Sequence, residues 1–349
     1  MIAKNDWLGS TASSQEREDL RILLDGISLK LQALEWSDQV LDLWDGKTYS
    51  PAYKAIEYFN KSLQFDATYI YCYTGRGLIY KNQKQYDLAL ADYNKAIELE
   101  PNLAFPYNDR GTIYAEMGKY SRAIEDYTAA IARDSTRAHF FNNRGTTYFR
   151  LGDYPLAIAD FDKAVSLDAT RASTYSNRGV AYAGLGKYQE ALADFSKAIF
   201  LNPNLAAVYN NRGEVYTETG EHERAIGDYS LSIRLDPNIA EFYGNRGRAY
   251  AYLEKYADAL KDYTSAIRLA PDDPGFYHGR GNVYHRMSQL DLALEDYTRA
   301  LLIGAGAETY YARGMIYEML GEWGLAVIDY NKACELGHPE GCDKIKGNT

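Results

Sequence analysis

Side chains that could do acid–base or metal chemistry are scattered along this chain of 349 residues. The five histidines stand at positions 139, 222, 278, 285 and 338. Only His278 and His285, seven residues apart, could share a helix face, and we disfavour a metal site there. The chain shows no serine nucleophile motif, no phosphate-binding glycine loop and no paired catalytic carboxylates. The sequence therefore predicts a protein that is not an enzyme and has no catalytic residue, cofactor or metal site.

Composition and charge narrow the class of partner. The formal net charge is −10 and the pI is about 5.1, which argues against binding to nucleic acid or to an anionic membrane surface. No stretch approaches the ~18 apolar residues of a membrane span, and the first residues lack the apolar core of a signal peptide. Cys72, Cys334 and Cys342 do not build a disulfide framework, so we expect free thiols. The expected location is cytoplasmic.

An arginine-glycine pair recurs along most of the chain and sets a repeat. The pairs are Arg76-Gly77, Arg110-Gly111, Arg144-Gly145, Arg178-Gly179, Arg212-Gly213, Arg246-Gly247, Arg280-Gly281 and Arg313-Gly314. Each step is 34 residues except the last, which is 33. A fixed period in this range is typical of a stacked solenoid.

Each repeat carries two helical patterns. An aromatic residue stands four before the glycine and a tyrosine three after it, and these spacings place both on one helix face. Farther on, alanine at plus 12, an aromatic at plus 16 and a small residue at plus 19 mark a second helix. Short turns such as residues 151–154 and stops such as residues 236–238 separate the helices. The repeat is therefore an antiparallel helix pair, and the glycine lets its first helix lie close to the aromatic of its second.

These residues resemble the tetratricopeptide repeat family over eight consecutive units at residues 70–337. The resemblance implies an all-α, right-handed superhelical solenoid of antiparallel helix pairs. A degenerate first unit is expected at residues 36–69, with Leu43 in the place of the glycine and a lengthened turn. Residues 14–35 are expected to form an N-terminal capping helix, after a disordered segment at residues 1–13.

The C-terminal end departs from the repeat. Residues 331–342 resemble a fragment of the related Sel1-type repeats. We therefore expect residues 338–349 to form a short C-terminal cap and tail, with a helix that ends near Lys346.

Side chains two residues before the glycine form the candidate binding column. They are Asp109, Asn143, Asn177, Asn211 and Asn245. In the family, this slot faces the concave groove, and the column is similar to the asparagine ladder of O-linked N-acetylglucosamine transferase, which holds the backbone of an extended peptide. An asparagine amide carries donors and an acceptor, so it can pair with a peptide unit whatever its side chain. The structural alternative is a solvated helix surface or a local hydrogen bond.

Mixed charges accompany the column on the expected groove. Arg150, Arg248, Tyr252 and Arg286 are candidate peptide-binding residues, beside acidic residues at 116, 214 and 218. The basic pair that the family uses to clamp chaperone C-terminal tails is missing, so such a partner is not expected. The sequence predicts a scaffold that holds a protein or extended peptide segment in the groove, with no nucleic acid and no membrane. The alternative is a structural solenoid that assembles with copies of itself.

A second polar pattern predicts a structural role. An aspartate follows 15 residues after the glycine in all eight units, from Asp92 to Asp329. Because antiparallel helices bring this position toward the arginine beside the glycine, we expect a partly buried Arg–Asp pair in each unit. Its role would be to hold the repeat together and not to bind a ligand.

Overall fold

The structure is a computed structural model that describes residues 14–45 and 48–346. These residues form nineteen α-helices, and the described part of the chain has no β-strand apart from one isolated bridge between Trp44 and Tyr49. The expected disordered segment 1–13 lies outside the described residues. The chain divides between Ala169 and Thr170 into two compact units, named here the N-terminal unit and the C-terminal unit.

The N-terminal unit is built from four helix pairs. Its helices are α1 Ser14–Leu41, α2 Ala52–Phe65, α3 Ile70–Asn82, α4 Tyr86–Leu99, α5 Ala104–Glu116, α6 Tyr120–Arg133, α7 Ala138–Arg150 and α8 Tyr154–Leu167. Each odd-numbered helix packs on the helix that follows it. The all-α fold of paired consecutive helices expected from the repeat is confirmed.

The C-terminal unit continues the same arrangement with five helix pairs and one further helix. Its helices are α9 Ala172–Gly184, α10 Tyr188–Leu201, α11 Ala206–Glu218, α12 His222–Leu235, α13 Ala240–Tyr252, α14 Tyr256–Leu269, α15 Pro274–Arg286, α16 Leu290–Ile303, α17 Ala307–Met319, α18 Trp323–Glu335 and α19 Pro339–Lys346. The last helix packs on α18 and occupies the expected C-terminal cap.

Glycine and an aromatic ring form the centre of each regular pair. An ideal Cβ at Gly111 would lie 3.1 Å from the ring of Tyr127, and one at Gly213 would lie 2.8 Å from the ring of Tyr229. Real Cβ atoms rarely come this close, so a methyl group would push the ring or the helix away. Tyr127 and Tyr229 are almost fully buried. The packing role expected for the glycine is confirmed.

The Arg–Asp pair expected within each unit is also confirmed. Arg246 donates from Nε to Asp262 Oδ2 at 2.7 Å and from Nη2 to Oδ1 at 2.8 Å, while Asp262 is only 3% exposed. Arg110 makes the same two bonds to Asp126. The other six pairs are Arg76 with Asp92, Arg144 with Asp160, Arg178 with Asp194, Arg212 with Asp228, Arg280 with Asp296 and Arg313 with Asp329. Two parallel bonds per pair fix the angle between the two helices.

The third nitrogen of the arginine reaches across the joint to the preceding repeat. Arg110 Nη1 donates to Asn94 Oδ1 at 2.6 Å, and Arg246 Nη1 donates to Ser230 Oγ at 3.0 Å. The same bond joins Arg76 to Asn60, Arg144 to Thr128, Arg212 to Ser196, Arg280 to Thr264 and Arg313 to Thr298. One guanidinium group therefore ties its own second helix to the second helix before it.

The degenerate first pair has a different register from the one expected. Ser62 donates to the carbonyl oxygen of Ala33, 29 residues earlier, whereas the equivalent Ser232 bonds to Ala206, 26 residues earlier. The loop between α1 and α2 is thus longer by three residues. Val40, which is buried, therefore takes the glycine place, and Leu43 lies in the turn after α1. The placement of Leu43 was wrong, and the helix expected at residues 14–35 continues to residue 41.

The first half of α1 extends beyond the packed part of the N-terminal unit. Residues 21–31 are all exposed, and they include the large apolar side chains of Ile22, Leu23, Leu24, Ile27, Leu29 and Leu31. Burial begins at Ala33, which contacts α2 through Ser62. None of the helices in residues 14–45 and 48–346 is long and apolar enough to cross a membrane.

Two of the cysteines are paired. Cys334 on α18 and Cys342 on α19 form a disulfide with their Cα atoms 4.7 Å apart. The expectation of three free thiols was wrong for this pair, because the turn at residues 336–338 folds α19 back onto α18. Cys72 is a free, buried thiol.

Candidate peptide-binding wall

The first helices of successive pairs line up side by side within each unit. In the N-terminal unit α3 contacts α5 and α5 contacts α7, and in the C-terminal unit α9, α11, α13, α15 and α17 follow one another in the same way. Among the described residues, the second helices make no comparable contact with one another. The first helices therefore come closer together than the second helices, and we call the surface they form in each unit the wall.

The asparagine column lies on the wall, but two of its members bond to the neighbouring first helix. Asn143 Nδ2 donates to Asn108 Oδ1 at 3.0 Å. Asn245 Nδ2 donates to Asn210 Oδ1 and to Glu214 Oε1, each at 3.1 Å. These bonds give the column a structural role in joining repeats. The side-chain oxygen of Asn245, Oδ1, accepts no hydrogen bond within the described residues, so it remains an acceptor for a ligand.

The remaining column residues are half-buried. Asn177 lies on α9 and Asn211 on α11, both in the C-terminal unit. Asp109, on α5 of the N-terminal unit, accepts a hydrogen bond from Asn108 Nδ2 at 3.0 Å. Burial raises the pKa of Asp109, and this bond opposes the rise. The column is therefore divided between the two units, with Asp109 and Asn143 in one and the other three residues in the other.

Three of the predicted binding residues meet in one cleft of the C-terminal unit. Arg248 and Tyr252 of α13 and Arg286 of α15 line a cavity of about 270 Å³, which we call the basic cleft. Tyr252 is 53% exposed, and its ring stacks on His222 with 4.7 Å between centroids. The fourth, Arg150, is exposed at the end of α7 in the N-terminal unit.

Glycine makes the basic cleft possible. Gly279 of α15 stands in the column slot, and an ideal Cβ there would lie 2.5 Å from Cε1 of Tyr263. The ring of Tyr263, from the preceding repeat, fills the space of the missing side chain and lines the cleft. His278, Gly279 and Asn282 were not predicted as site residues. The available signal was the glycine in the column slot of α15, where the four preceding repeats carry asparagine.

Positive charge dominates the basic cleft. Neither Arg248 nor Arg286 forms an ion pair within the described residues, and none of the residues that line the cavity is acidic. His278 is held by a hydrogen bond between Nδ1 and Thr309 Oγ1 at 2.8 Å, and burial lowers its pKa. Burial raises the pKa of Tyr263 to about 12, although the Arg248 charge lowers it, so its hydroxyl stays protonated at neutral pH.

A second cleft on the wall lies in the N-terminal unit and has the opposite character. It encloses about 590 Å³ beside Gly75, and we call it the apolar cleft. Leu41, Trp44, Tyr71 and Phe105 contribute apolar surface that is between 39% and 65% exposed. The polar groups at its edge include Asp109, one of the predicted binding residues.

Comparison with known families matches most of the repeats. Models described as "Tetratricopeptide repeat" match residues 70–103, 108–173, 172–205, 206–239 and 307–336, and one described as "TPR repeat" matches residues 247–288. Together these matches cover more than half of the chain. No curated protein gives a significant match.

The chain is similar to several solved structures. A tetratricopeptide repeat protein from Parabacteroides merdae is 19% identical over 74% of this chain and 99% of its own, with a TM-score of 0.54. PilF of Pseudomonas aeruginosa is 22% identical over 60% of this chain and 96% of its own, also with a TM-score of 0.54. YrrB, described as a TPR protein with an unusual peptide-binding site, is 26% identical over 54% of this chain and 97% of its own, with a TM-score of 0.46.

Proposed function

Because the chain belongs to the tetratricopeptide repeat family, whose members bind protein or peptide partners, we propose that it is a scaffold. Its wall would hold an extended segment of a partner protein. The observation that carries the proposal is the meeting of Arg248, Tyr252 and Arg286 in one cleft of the wall. Arg248 and Arg286 form no ion pair within the described residues, and the Tyr252 ring is about half exposed, so these side chains can contact a partner.

The asparagine column would hold the backbone of the segment. The side-chain oxygen of Asn245, Oδ1, can accept a hydrogen bond from a peptide N–H. Asn211 presents a half-buried side-chain amide on the neighbouring helix. Each neutral hydrogen bond contributes about 0.5–1.5 kcal/mol net, so a useful affinity needs several of them. The arginines and Tyr252 would then select among the segments that fit.

Family members are generally scaffolds, so we propose that this chain has no catalytic activity and acts through its partner. Its net charge of −10 disfavours nucleic acid and anionic membranes as partners. A cytoplasmic location was expected from the sequence. The disulfide between Cys334 and Cys342 counts against it, because disulfides persist mainly in oxidising compartments.

Peptide capture tests the proposal. The full chain is incubated with an array of N-acetylated, C-amidated dodecapeptides of random sequence, and the bound peptides are identified. We expect the double variant Asn211→Ala with Asn245→Ala to bind the same peptides at least tenfold more weakly. Asn331→Ala, an exposed asparagine on the second helix α18, is the control and should bind like the wild type. Equal binding by all three proteins would show that the column is not the grip.

Self-assembly is the second candidate function, and the exposed half of α1 favours it. Leu24, Ile27, Leu31 and Leu34 alternate at spacings of three and four, which is the pattern of a coiled-coil seam, and each is between 42% and 55% exposed. Light scattering after size-exclusion chromatography tests it. A dimer that the variant Leu24→Ser with Leu31→Ser converts to a monomer would support assembly, whereas a wild-type monomer at all concentrations would exclude it.

A further inference from the structure

We infer that the basic cleft takes a carboxylate side chain, from an aspartate or glutamate inside the bound segment. This inference rests on the proposed function, since it presumes that a segment lies along the wall of the C-terminal unit. It adds the identity of one side chain and the place where it binds. From the sequence, Arg248, Tyr252 and Arg286 were predicted only as members of a mixed set of groove residues.

The first reason is unbalanced charge. Arg248 and Arg286 line the same cavity, and neither forms an ion pair within the described residues. By contrast, the eight arginines of the repeat each pair with a buried aspartate. A guanidinium group binds a carboxylate through two parallel hydrogen bonds, and two such groups around one cavity disfavour any cation. An anion would relieve the repulsion between them.

The second reason is size and lining. At about 270 Å³ the cavity is slightly smaller than the usual range of small-molecule sites, so it suits a side chain better than a cofactor. Gly275 and Gly279 leave room in the cavity because they have no side chain. Ala251 and Val283 line it with apolar surface that the methylene groups of a glutamate can contact. The protonated hydroxyl of Tyr263 can donate a further hydrogen bond.

The third reason is the setting of the cleft on the wall. The neighbouring first helices α11 and α17 continue the wall on either side, so a segment can pass through and need not end there. Acidic groups stand near the cleft: Glu214 is close enough to Arg248 for their charges to interact, and Glu308 lies near His278. With a net charge of −10, the protein would repel a strongly acidic segment. The cleft therefore favours one carboxylate at one position of an otherwise neutral or basic segment.

The dodecapeptide array described above tests the inference, because terminal acetylation and amidation leave side chains as the only carboxylates. We expect the peptides that bind the wild type to share an aspartate or glutamate at one position. Replacing it by asparagine or glutamine should weaken binding at least tenfold. The double variant Arg248→Glu with Arg286→Glu should instead select lysine or arginine at that position.

A matched control keeps the net charge of that variant. Arg268→Glu with Arg299→Glu changes the charge equally on the exposed sides of α14 and α16, and it should keep the wild-type preference. Circular dichroism must show the same helix content for all three proteins. Peptides that bind without a shared acidic position, or an acidic preference that survives in Arg248→Glu with Arg286→Glu, would overturn the inference and leave the proposed function standing. If no peptide binds the wild type, both fail together.

Discussion

The apolar cleft of the N-terminal unit and the basic cleft of the C-terminal unit share one construction. In each, a glycine stands in the column slot, Gly75 or Gly279, and the ring of the preceding repeat fills its space. The ring is Phe59 in one and Tyr263 in the other, 2.4 Å and 2.5 Å from the ideal Cβ position. In both units, a cleft lies beside the column slot that lacks a side chain.

The neighbouring positions decide what each cleft can bind. In the C-terminal unit, Arg248 directly follows Gly247, the glycine of the preceding pair. In the N-terminal unit, Leu41 has the equivalent position, directly after Val40. Both residues line their clefts. The difference teaches that the backbone of the repeat creates the cavity, while a few variable wall positions set its chemistry. Under the proposed function, the two clefts would favour partner side chains of different chemistry.

The largest expected effect concerns the framework that the two units have in common. Arg110→Ala in the N-terminal unit and Arg246→Ala in the C-terminal unit each leave a buried aspartate unpaired, so each should destabilise its unit by about 3–5 kcal/mol. Hydrogen exchange of the surrounding helices measures both local stabilities. Arg268→Ala, at an exposed position, is the control. Unequal losses in the two units would show that the shared framework is not equivalent.

The disulfide is a feature of the C-terminal unit alone among the described residues. Cys334→Ala with Cys342→Ala should lower the stability of α19 by about 2–4 kcal/mol, since the crosslink restricts the unfolded chain. Hydrogen exchange in α19 measures the loss, and α1 in the N-terminal unit should not respond. A thiol assay of the denatured, unreduced wild type should find one free cysteine, Cys72. Three free thiols would show that the pair does not form.

A methyl group in either glycine slot should lower the stability of the surrounding unit by a smaller amount. Gly75→Ala and Gly279→Ala introduce a methyl group against Phe59 or Tyr263, and overpacking of this kind costs about 1–3 kcal/mol. Gly26→Ala on the exposed half of α1 is the control, because nothing lies within 4 Å of its ideal Cβ. It should stabilise its helix by about 0.5–1 kcal/mol. Thermal unfolding curves separate the two signs.

Two buried tyrosines should make the stability of the protein depend on pH in the alkaline range. Burial raises the pKa of Tyr127 in the N-terminal unit and of Tyr229 in the C-terminal unit to about 12. The unfolded chain loses these protons near pH 10, so their stabilisation is complete below pH 10 and is lost as the pH rises to 12. Between pH 10 and 12, each tyrosine should make the free energy of unfolding fall by up to about 1.4 kcal/mol per pH unit.

Phenylalanine variants test this pH dependence. Tyr127→Phe and Tyr229→Phe should each flatten the slope of stability against pH between 10 and 12. Tyr53→Phe changes an exposed ring and should leave it unchanged. If one buried tyrosine alone controls the slope, the cores of the two units differ in a way that their shared packing does not explain.

Regular repeats could be predicted from sequence because packing imposes the same residues at every period. Gly111, Arg110 and Asp126 keep fixed spacings, so their contacts follow once the helix pair is recognised. The first pair lost this marker: Val40 replaces the glycine, and only the bond from Ser62 to Ala33 reveals the three extra loop residues. Where the period is broken, a register inferred by counting residues fails.

Three residues of the candidate site were predicted from the sequence, but the other residues of the cleft and the contacts between side chains were not. Arg248, Tyr252 and Arg286 were expected on the groove, and the structure brings them together. The bond from Asn245 to Asn210 was not foreseen, because the two side chains are 35 positions apart and meet only when helices of neighbouring repeats align. The pairing of Cys334 with Cys342 likewise depends on the fold of a turn, which spacing alone does not determine.

The arginine that spans each joint also sets how a unit responds to tension. Arg246 holds its own second helix through two charged hydrogen bonds to Asp262, but holds the preceding repeat through one bond to the neutral hydroxyl of Ser230. All three bonds have a charged donor, but only the contact with Asp262 adds a second, parallel bond and a negatively charged acceptor. A pulling force along the C-terminal unit would therefore open the joints between helix pairs before it separated the helices of a pair. The extension would be distributed over the joints between helix pairs, while each pair kept its internal packing.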